Sequence, residues 1–399
     1  MFFHQIVGLE VIKSRLRQMV QNSRLSHAML LTGAEGTGAL PLAIAFAQYL
    51  VCERVVQKPD TADSLFRAEP PDDPLLPAES CGVCASCVKA ARLVHPDIHF
   101  TFPVFTRTPG EKPVSADFIT EWREFILRYP YGNVYDWLQF IQAENKQGNI
   151  TANECNEIAK NLNLKSFEGG YKIQIIWMPE YLGNEGNKLL KLIEEPPPDT
   201  LFLLVTENES LILPTILSRL QIIKLPRPDL QEIEQALQAQ GGISAEQARG
   251  LAAISDQNYR EALKYLQDGP EDWQGILREW LNTILKTGRV AQVKWIEEIS
   301  KAGRERQKQF LQYFIHLLEQ AIRLEMSGGR QSTGLPPSEH DVAERLNKIA
   351  GASSQQAIIE ELNNAIYYIE RNAHAKMLFH ALTIRLSHIL RDHEVAVFT

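Results

Sequence analysis

Two clusters of residues have the types and spacing to do chemistry. The first is Gly33-Ala34-Glu35-Gly36-Thr37-Gly38-Ala39-Leu40, set between the apolar run Met29-Leu30-Leu31 and the alanine-rich stretch Leu42 to Val51. Gly33, Gly36 and Gly38 keep the spacing of a phosphate-binding loop, G-x-x-x-x-G-K-[ST], between a strand and a helix. In that loop the lysine neutralises the β- and γ-phosphates and the hydroxyl holds Mg²⁺. Here those two positions are Ala39 and Leu40. After the later apolar run Ile175-Ile176, where Asp-Glu would hold the metal, the sequence reads Trp177-Met178-Pro179-Glu180. Glycines can simply make a turn, but failure of two linked motifs in the right strand-to-loop context predicts a degenerate ATPase fold. No nucleotide is expected at the loop, and no ATP hydrolysis.

The second cluster is Cys81-Gly-Val-Cys84-Ala-Ser-Cys87, three of the five cysteines of the chain. Structural zinc takes four ligands in a tetrahedron, often thiolates. Cys52, at the end of the helix after the glycine loop, is the expected fourth, and His95 is its rival. Four protein ligands leave no open position, so such a zinc would be structural. Cys155 falls on an expected helix and reads as a small buried apolar residue.

The elements that must position these residues follow from periodicity. Val11 to Val20 is amphipathic, and His27 to Leu31, Ile173 to Trp177, Leu201 to Thr206 and Gln221 to Leu225 read as strands. Helices are expected over Ala116 to Arg128, over Ile150 to Leu164 with Thr151 as its cap, and over Asn187 to Ile193, which Pro196-Pro197-Pro198 must end. Alternating strands and helices imply a parallel sheet covered on both faces. Gln57 to Ser80 reads as a surface loop. Pro226-Arg227-Pro228 marks a boundary, beyond which the pattern is helical. A second boundary falls near Asp268-Gly269-Pro270, and Ser327 to Ser338 is a linker-like break. The stripe Ile358, Leu362, Ile366, Ile369 demands a buried face, within a bundle or against another chain.

The runs Asn187-Lys188-Leu189-Leu190-Lys191-Leu192-Ile193-Glu194-Glu195-Pro196-Pro197 and Leu213-Pro214-Thr215-Ile216-Leu217-Ser218-Arg219 resemble the clamp-loader branch of the AAA+ superfamily. The resemblance is good from the glycine loop through Leu225 and looser beyond. It implies an α/β AAA+ domain over 1–225, carrying the zinc module and an extra insertion at about 103–148. A helical lid over 226–268 and an all-α oligomerisation collar over 269–399 would follow. It also implies a non-hydrolysing subunit of the DNA polymerase III clamp loader. The implied partners are gamma/tau-type ATPase subunits and the delta subunit, and, through the complex, the sliding clamp and primed DNA. Ser218 and Arg219 match the motif that sends an arginine into a neighbour's ATP site. Arg260, in Asn258-Tyr259-Arg260-Glu261, matches the second-sensor arginine of the lid and is expected to be structural. The family usually has cysteine after Ser-Arg; here it is Leu220. A zinc-stapled adaptor of another ATPase assembly is the alternative.

A net charge of −8 argues against a protein that coats nucleic acid alone. No apolar run approaches the ~20 residues of a membrane helix, and no signal peptide opens the chain. A cytoplasmic protein is expected.

Overall fold

The computed structural model describes residues 1–56, 76–107, 110, 112–143, 146, 148–240, 242–268, 273–286, 288–326, 337–370 and 373–392. Most of the expected loop at Gln57 to Ser80, the boundary at Gly269-Pro270 and nearly all of the break at Ser327 to Ser338 lie outside the described residues. The chain divides into two compact units. The first comprises residues 1–240 and 257–261, the second residues 241–256 and 262–399.

The first unit is built on five strands: β1 (Ala28–Thr32), β2 (Ile98–Thr101), β3 (Lys172–Trp177), β4 (Thr200–Thr206) and β5 (Gln221–Lys224). They form one sheet in the order β2-β3-β4-β1-β5, and every pairing is parallel. The expected strands are present within a residue or so of their read bounds, and β2 is an additional edge strand. Successive side chains of β1 serve opposite faces, as pleating requires. Met29 and Leu31 join the core under one face, Ala28 and Leu30 the core under the other. Two buried faces explain why these strands read as continuous apolar runs rather than alternating ones.

Helices cover both faces. In chain order the first unit holds α1 (Glu10–Gln21), α2 (Ala39–Leu50), α3 (Glu53–Val56), α4 (Ala85–Ala91), α5 (Ile119–Arg128), α6 (Val134–Phe140), α7 (Ala152–Asn163), α8 (Leu190–Glu194), α9 (Pro214–Leu217) and α10 (Leu230–Ala239). All twelve residues of α2 are buried. Thr151 caps α7, its hydroxyl accepting from the Glu154 N–H at 3.3 Å. The helix expected over Ala116 to Arg128 opens with a 3-10 turn, Ser115–Phe118, before α5. The one expected over Asn187 to Ile193 is the end of a 3-10 segment, Pro179–Leu189, running into α8.

The described residues between 103 and 148 add core rather than decoration. Trp122 stacks on Phe102 with ring centroids 4.1 Å apart. It meets Trp137 edge-on at 5.3 Å and Trp177 at 5.2 Å. The Trp137 indole N–H, buried with the ring, donates to the Pro103 carbonyl at 2.7 Å, as buried indoles usually do.

The second unit is helical: α11 (Ala245–Ile254), most of α12 (Tyr259–Asp268), α13 (Trp273–Leu285), α14 (Arg289–Lys301), α15 (Arg304–Met326), α16 (Pro337–Ile349), α17 (Ala352–Glu370) and α18 (Ala375–Asp392). Its core centres on Trp280 stacked on Trp295 at 4.8 Å, with Phe310, Phe314 and Phe379 around them. Ile358, Leu362 and Ile369 are buried in this bundle and Ile366 packs against it, so that apolar stripe is satisfied inside the chain's own unit. No described helix is long and apolar enough to cross a membrane.

Candidate functional site: a filled phosphate loop, a thiol cluster and an outward arginine

The carboxyl end of β1 is where a doubly wound sheet places its ligands. Gly33 to Gly38 turn there from β1 into α2. Gly36 and Gly38 hold φ of +79° and +84°, a left-handed backbone that disfavours any side chain. Ala39 and Leu40, the lysine and hydroxyl positions, are buried in the first turn of α2. A cavity of about 30 Å³ remains between this loop, Tyr131, Trp177, Met178 and the end of β4. Ligand pockets run to about 300 Å³ and more, so this space suits water.

What fills the site comes from the insertion and from the residues around Arg260. A Cβ on Gly38 would stand 2.9 Å from the Tyr131 ring, and one on Gly36 would collide with the Asn258 side chain. The Tyr131 hydroxyl accepts from the Val7 N–H at 3.0 Å, and its ring meets Tyr259 edge-on at 4.8 Å. Glu35, inside the loop, accepts from Asn133 Nδ2 at 3.0 Å, from Asn258 Nδ2 at 3.2 Å and from Arg260 Nη1 at 2.7 Å. Arg260 Nε and Nη2 donate to the two oxygens of Asp136, at 2.6 and 2.7 Å, and Nη1 also donates to Glu261. The Arg260 side chain is 5% exposed. Burial works against its charge, but the paired Asp136 fork, Glu35 and Glu261 outweigh it and hold the guanidinium well above its usual range. Asp136 is itself fixed, because Asn133 caps α6 in a reciprocal box with it.

At the end of β3 the position of a metal carboxylate is Trp177, whose ring belongs to the aromatic core of the insertion. Glu180 lies three residues on. Its Oε2 accepts from the Thr206 hydroxyl at 3.1 Å, and burial pushes its carboxyl up to about 7. Sequence reasoning passed over Glu35, Tyr131, Asp136 and Glu180. An acid inside a phosphate loop, where it would repel phosphate, was the one available signal for Glu35.

The sulfurs of Cys52, Cys81, Cys84 and Cys87 lie within 4.8 Å of one another. Cys81 and Cys87 Sγ are 3.9 Å apart, against an edge of about 3.8 Å for a tetrahedron of thiolates around a zinc-sized ion. Backbone N–H groups point at three of these sulfurs: Cys81 N–H donates to Cys52 Sγ at 3.3 Å, Cys84 N–H to Cys81 Sγ and Cys87 N–H to Cys84 Sγ, both at 3.4 Å. Burial pushes the Cys52 and Cys87 thiols up. A divalent cation reverses that preference and takes the thiolates, and the set could hold a metal ion. His95 is not among these donors. Its Nδ1 accepts from the Asp97 N–H at 3.1 Å and its Nε2 lies 3.0 Å from Glu168 Oε2. Cys155 is buried apart, its thiol donating to the Glu185 carbonyl at 3.6 Å.

Arg219 follows α9, and its side chain is 33% exposed. Nε donates to Glu194 Oε1 at 2.5 Å, and Nη1 to the Thr215 carbonyl at 2.7 Å and Ser218 Oγ at 3.1 Å. The two arginines therefore predict opposite mutational outcomes. Arg260→Ala strands the buried Glu261 and the part-buried Glu35 and Asp136, and should lower unfolding free energy by about 2–4 kcal/mol. Arg219→Ala removes a partly exposed pair and should change it by less than about 1 kcal/mol. Urea unfolding of the two variants checks this; a mild Arg260→Ala would mean its network is not a buried one.

Comparison with known proteins places the chain in a family. The family described as DNA polymerase III, delta subunit, matches residues 8–229. DNA polymerase III subunit delta' of Bacillus subtilis is 26% identical over 250 residues, 62% of this chain and 56% of that protein. The subunit delta' of Pseudomonas aeruginosa is 25% identical over 271 residues, 67% of this chain and 64% of that one. Subunit tau of Bacillus subtilis is 24% identical over 311 residues, 75% of this chain and 43% of its own. The chain thus matches less than two thirds of the length of these relatives. With the match running through the filled loop, the thiol cluster and the Ser218-Arg219 turn, the chain belongs to the DNA polymerase III delta-subunit family, as a clamp-loader subunit of the delta-prime type.

Proposed function

We propose that this chain is the non-hydrolysing stator of a clamp loader and supplies Arg219 to the ATP site of a neighbouring ATPase subunit. The observation that carries the reading is the contrast between the two arginines. Arg260, at the chain's own degenerate site, is committed to its own carboxylates. Arg219 is held on a turn with one end of its guanidinium unclaimed by the described residues. With Ala39 and Leu40 in the loop and Trp177 after β3, the chain neither neutralises phosphate nor holds Mg²⁺, and it does not turn over ATP. In the neighbour's site, water bonds to the γ-phosphorus as the bond to the β–γ bridging oxygen breaks and ADP leaves with the electron pair. An arginine supplied in trans meets the charge on the γ-phosphoryl oxygens.

On this reading residues 1–225 are an AAA+ domain, 226–268 a lid and 269–399 a collar. Gamma/tau-type ATPase subunits and a delta subunit are the direct partners, and the sliding clamp and primed DNA are reached through the complex. Cys52, Cys81, Cys84 and Cys87 hold a structural zinc that ties the end of α2 to α4. All four ligand positions are thiolates, so the ion takes no part in chemistry.

Arg219→Ala should lower the clamp- and DNA-stimulated ATPase of the reconstituted loader by about tenfold. Arg219→Lys should be nearly as harmful, because an ammonium lacks the planar fork. Wild-type turnover and clamp loading by Arg219→Ala loaders would reduce the residue to a surface cation. Elemental analysis should find about one zinc per chain, and Cys84→Ser should lose it with a lower melting temperature. Full zinc content in Cys84→Ser would contradict the site.

A further inference from the structure

The guanidinium of Arg219 is not loose. Nε and Nη1 are saturated by Glu194 Oε1, the Thr215 carbonyl and Ser218 Oγ. Among the described residues Nη2 has no partner. The support is itself tied down. The Ser218 hydroxyl donates to the Thr215 carbonyl at 3.1 Å, and the Thr215 hydroxyl donates to Asn187 Oδ1 at 3.2 Å. Glu194 closes α8, just before the three prolines that end it. Two separate stretches of chain, 187–194 and 215–218, therefore converge on one side chain.

We infer that Glu194 is a positioning residue for Arg219: with Thr215 and Ser218 it fixes one edge of the guanidinium and turns the Nη2 end outward as a preset donor for a terminal phosphate oxygen. This rests on the function proposed above and gives Glu194 a part in it. Arginine stays charged at any working pH, so Glu194 acts on direction and not on protonation. A free arginine side chain carries rotamer entropy that a neighbouring phosphate would have to offset at each encounter. Anchoring two of the three nitrogens settles that ordering before the neighbour arrives. A carboxylate beside the fork also cancels part of its field, so the device helps only if orientation outweighs lost charge. That is a testable sign.

The test is steady-state ATPase of the reconstituted complex carrying Glu194→Ala, Glu194→Gln, Arg219→Ala or Glu194→Ala with Arg219→Ala. Glu194→Ala should lower kcat roughly five- to tenfold with KM for ATP unchanged, the size expected of a misdirected contact. Glu194→Gln keeps the acceptor oxygen without the charge and should recover most of the loss. The double variant should be no worse than Arg219→Ala. Unchanged melting temperature in each variant separates positioning from folding, since the pair is partly exposed. If Arg219→Ala is crippled while Glu194→Ala matches or exceeds the wild type, Glu194 is a counter-ion and this inference fails. If Arg219→Ala is itself silent, the proposed function falls and this inference with it.

Discussion

The rest of the first unit depends on one buried cation. A guanidinium removed from water must be met by charge and hydrogen bonds, because an unpaired one is far more costly than any surface contact can offset. Arg260 finds Glu35 in the loop after β1, Asp136 at the start of α6 and Glu261 beside it. Glu35 and Asp136 are distant in sequence, so the pairing fixes the loop and the start of α6 against the segment that carries Arg260. Asn133, Asn258 and Tyr131 complete the filling. Arg260 thus meets carboxylates on three sides of its guanidinium. The loop keeps its glycine turn and has lost its space.

The same exchange of roles occurs at the end of β3. Trp177 spends that position on packing, joined to Trp122, Phe125 and Trp137. Aromatic faces and edges at these separations contribute beyond their buried area. Glu180 stands nearby with its carboxyl pushed up to about 7 by burial and one oxygen engaged by Thr206. The stretch between 103 and 148 thus supplies the core that absorbs Trp177 and one of the carboxylates that absorb Arg260.

Much of this was legible in the sequence, and the reasons differ from residue to residue. The central strands declare themselves because burial on both faces makes them continuous apolar runs. β2 does not, because Ile98–Thr101 is four residues at a sheet edge with His99 in its middle. The thiol cluster is legible because its spacing is local; its fourth member, Cys52, needed only the end of one helix. Between 103 and 148 only the helix over Ala116 to Arg128 was legible. Phe118, Trp122 and Phe125 keep helical spacing, but the core they share with Trp137 and Trp177 exists only once β3, α5 and α6 are packed. Asp136 reads locally as the partner of Asn133 in a helix cap, which it is, and nothing local shows its second role toward Arg260. Arg219 and Glu194 were visible as members of two motifs, but their pairing across 25 residues belongs to the fold.

We propose that the chain's own residues fill its glycine loop and keep nucleotide out. Calorimetric titration of the isolated, metal-replete protein with Mg²⁺–ATP tests it most directly. A sealed loop gives no saturable heat up to millimolar nucleotide. Stoichiometric binding with a Kd in the micromolar range would contradict the claim, and would mean that the network around Arg260 opens to admit phosphate.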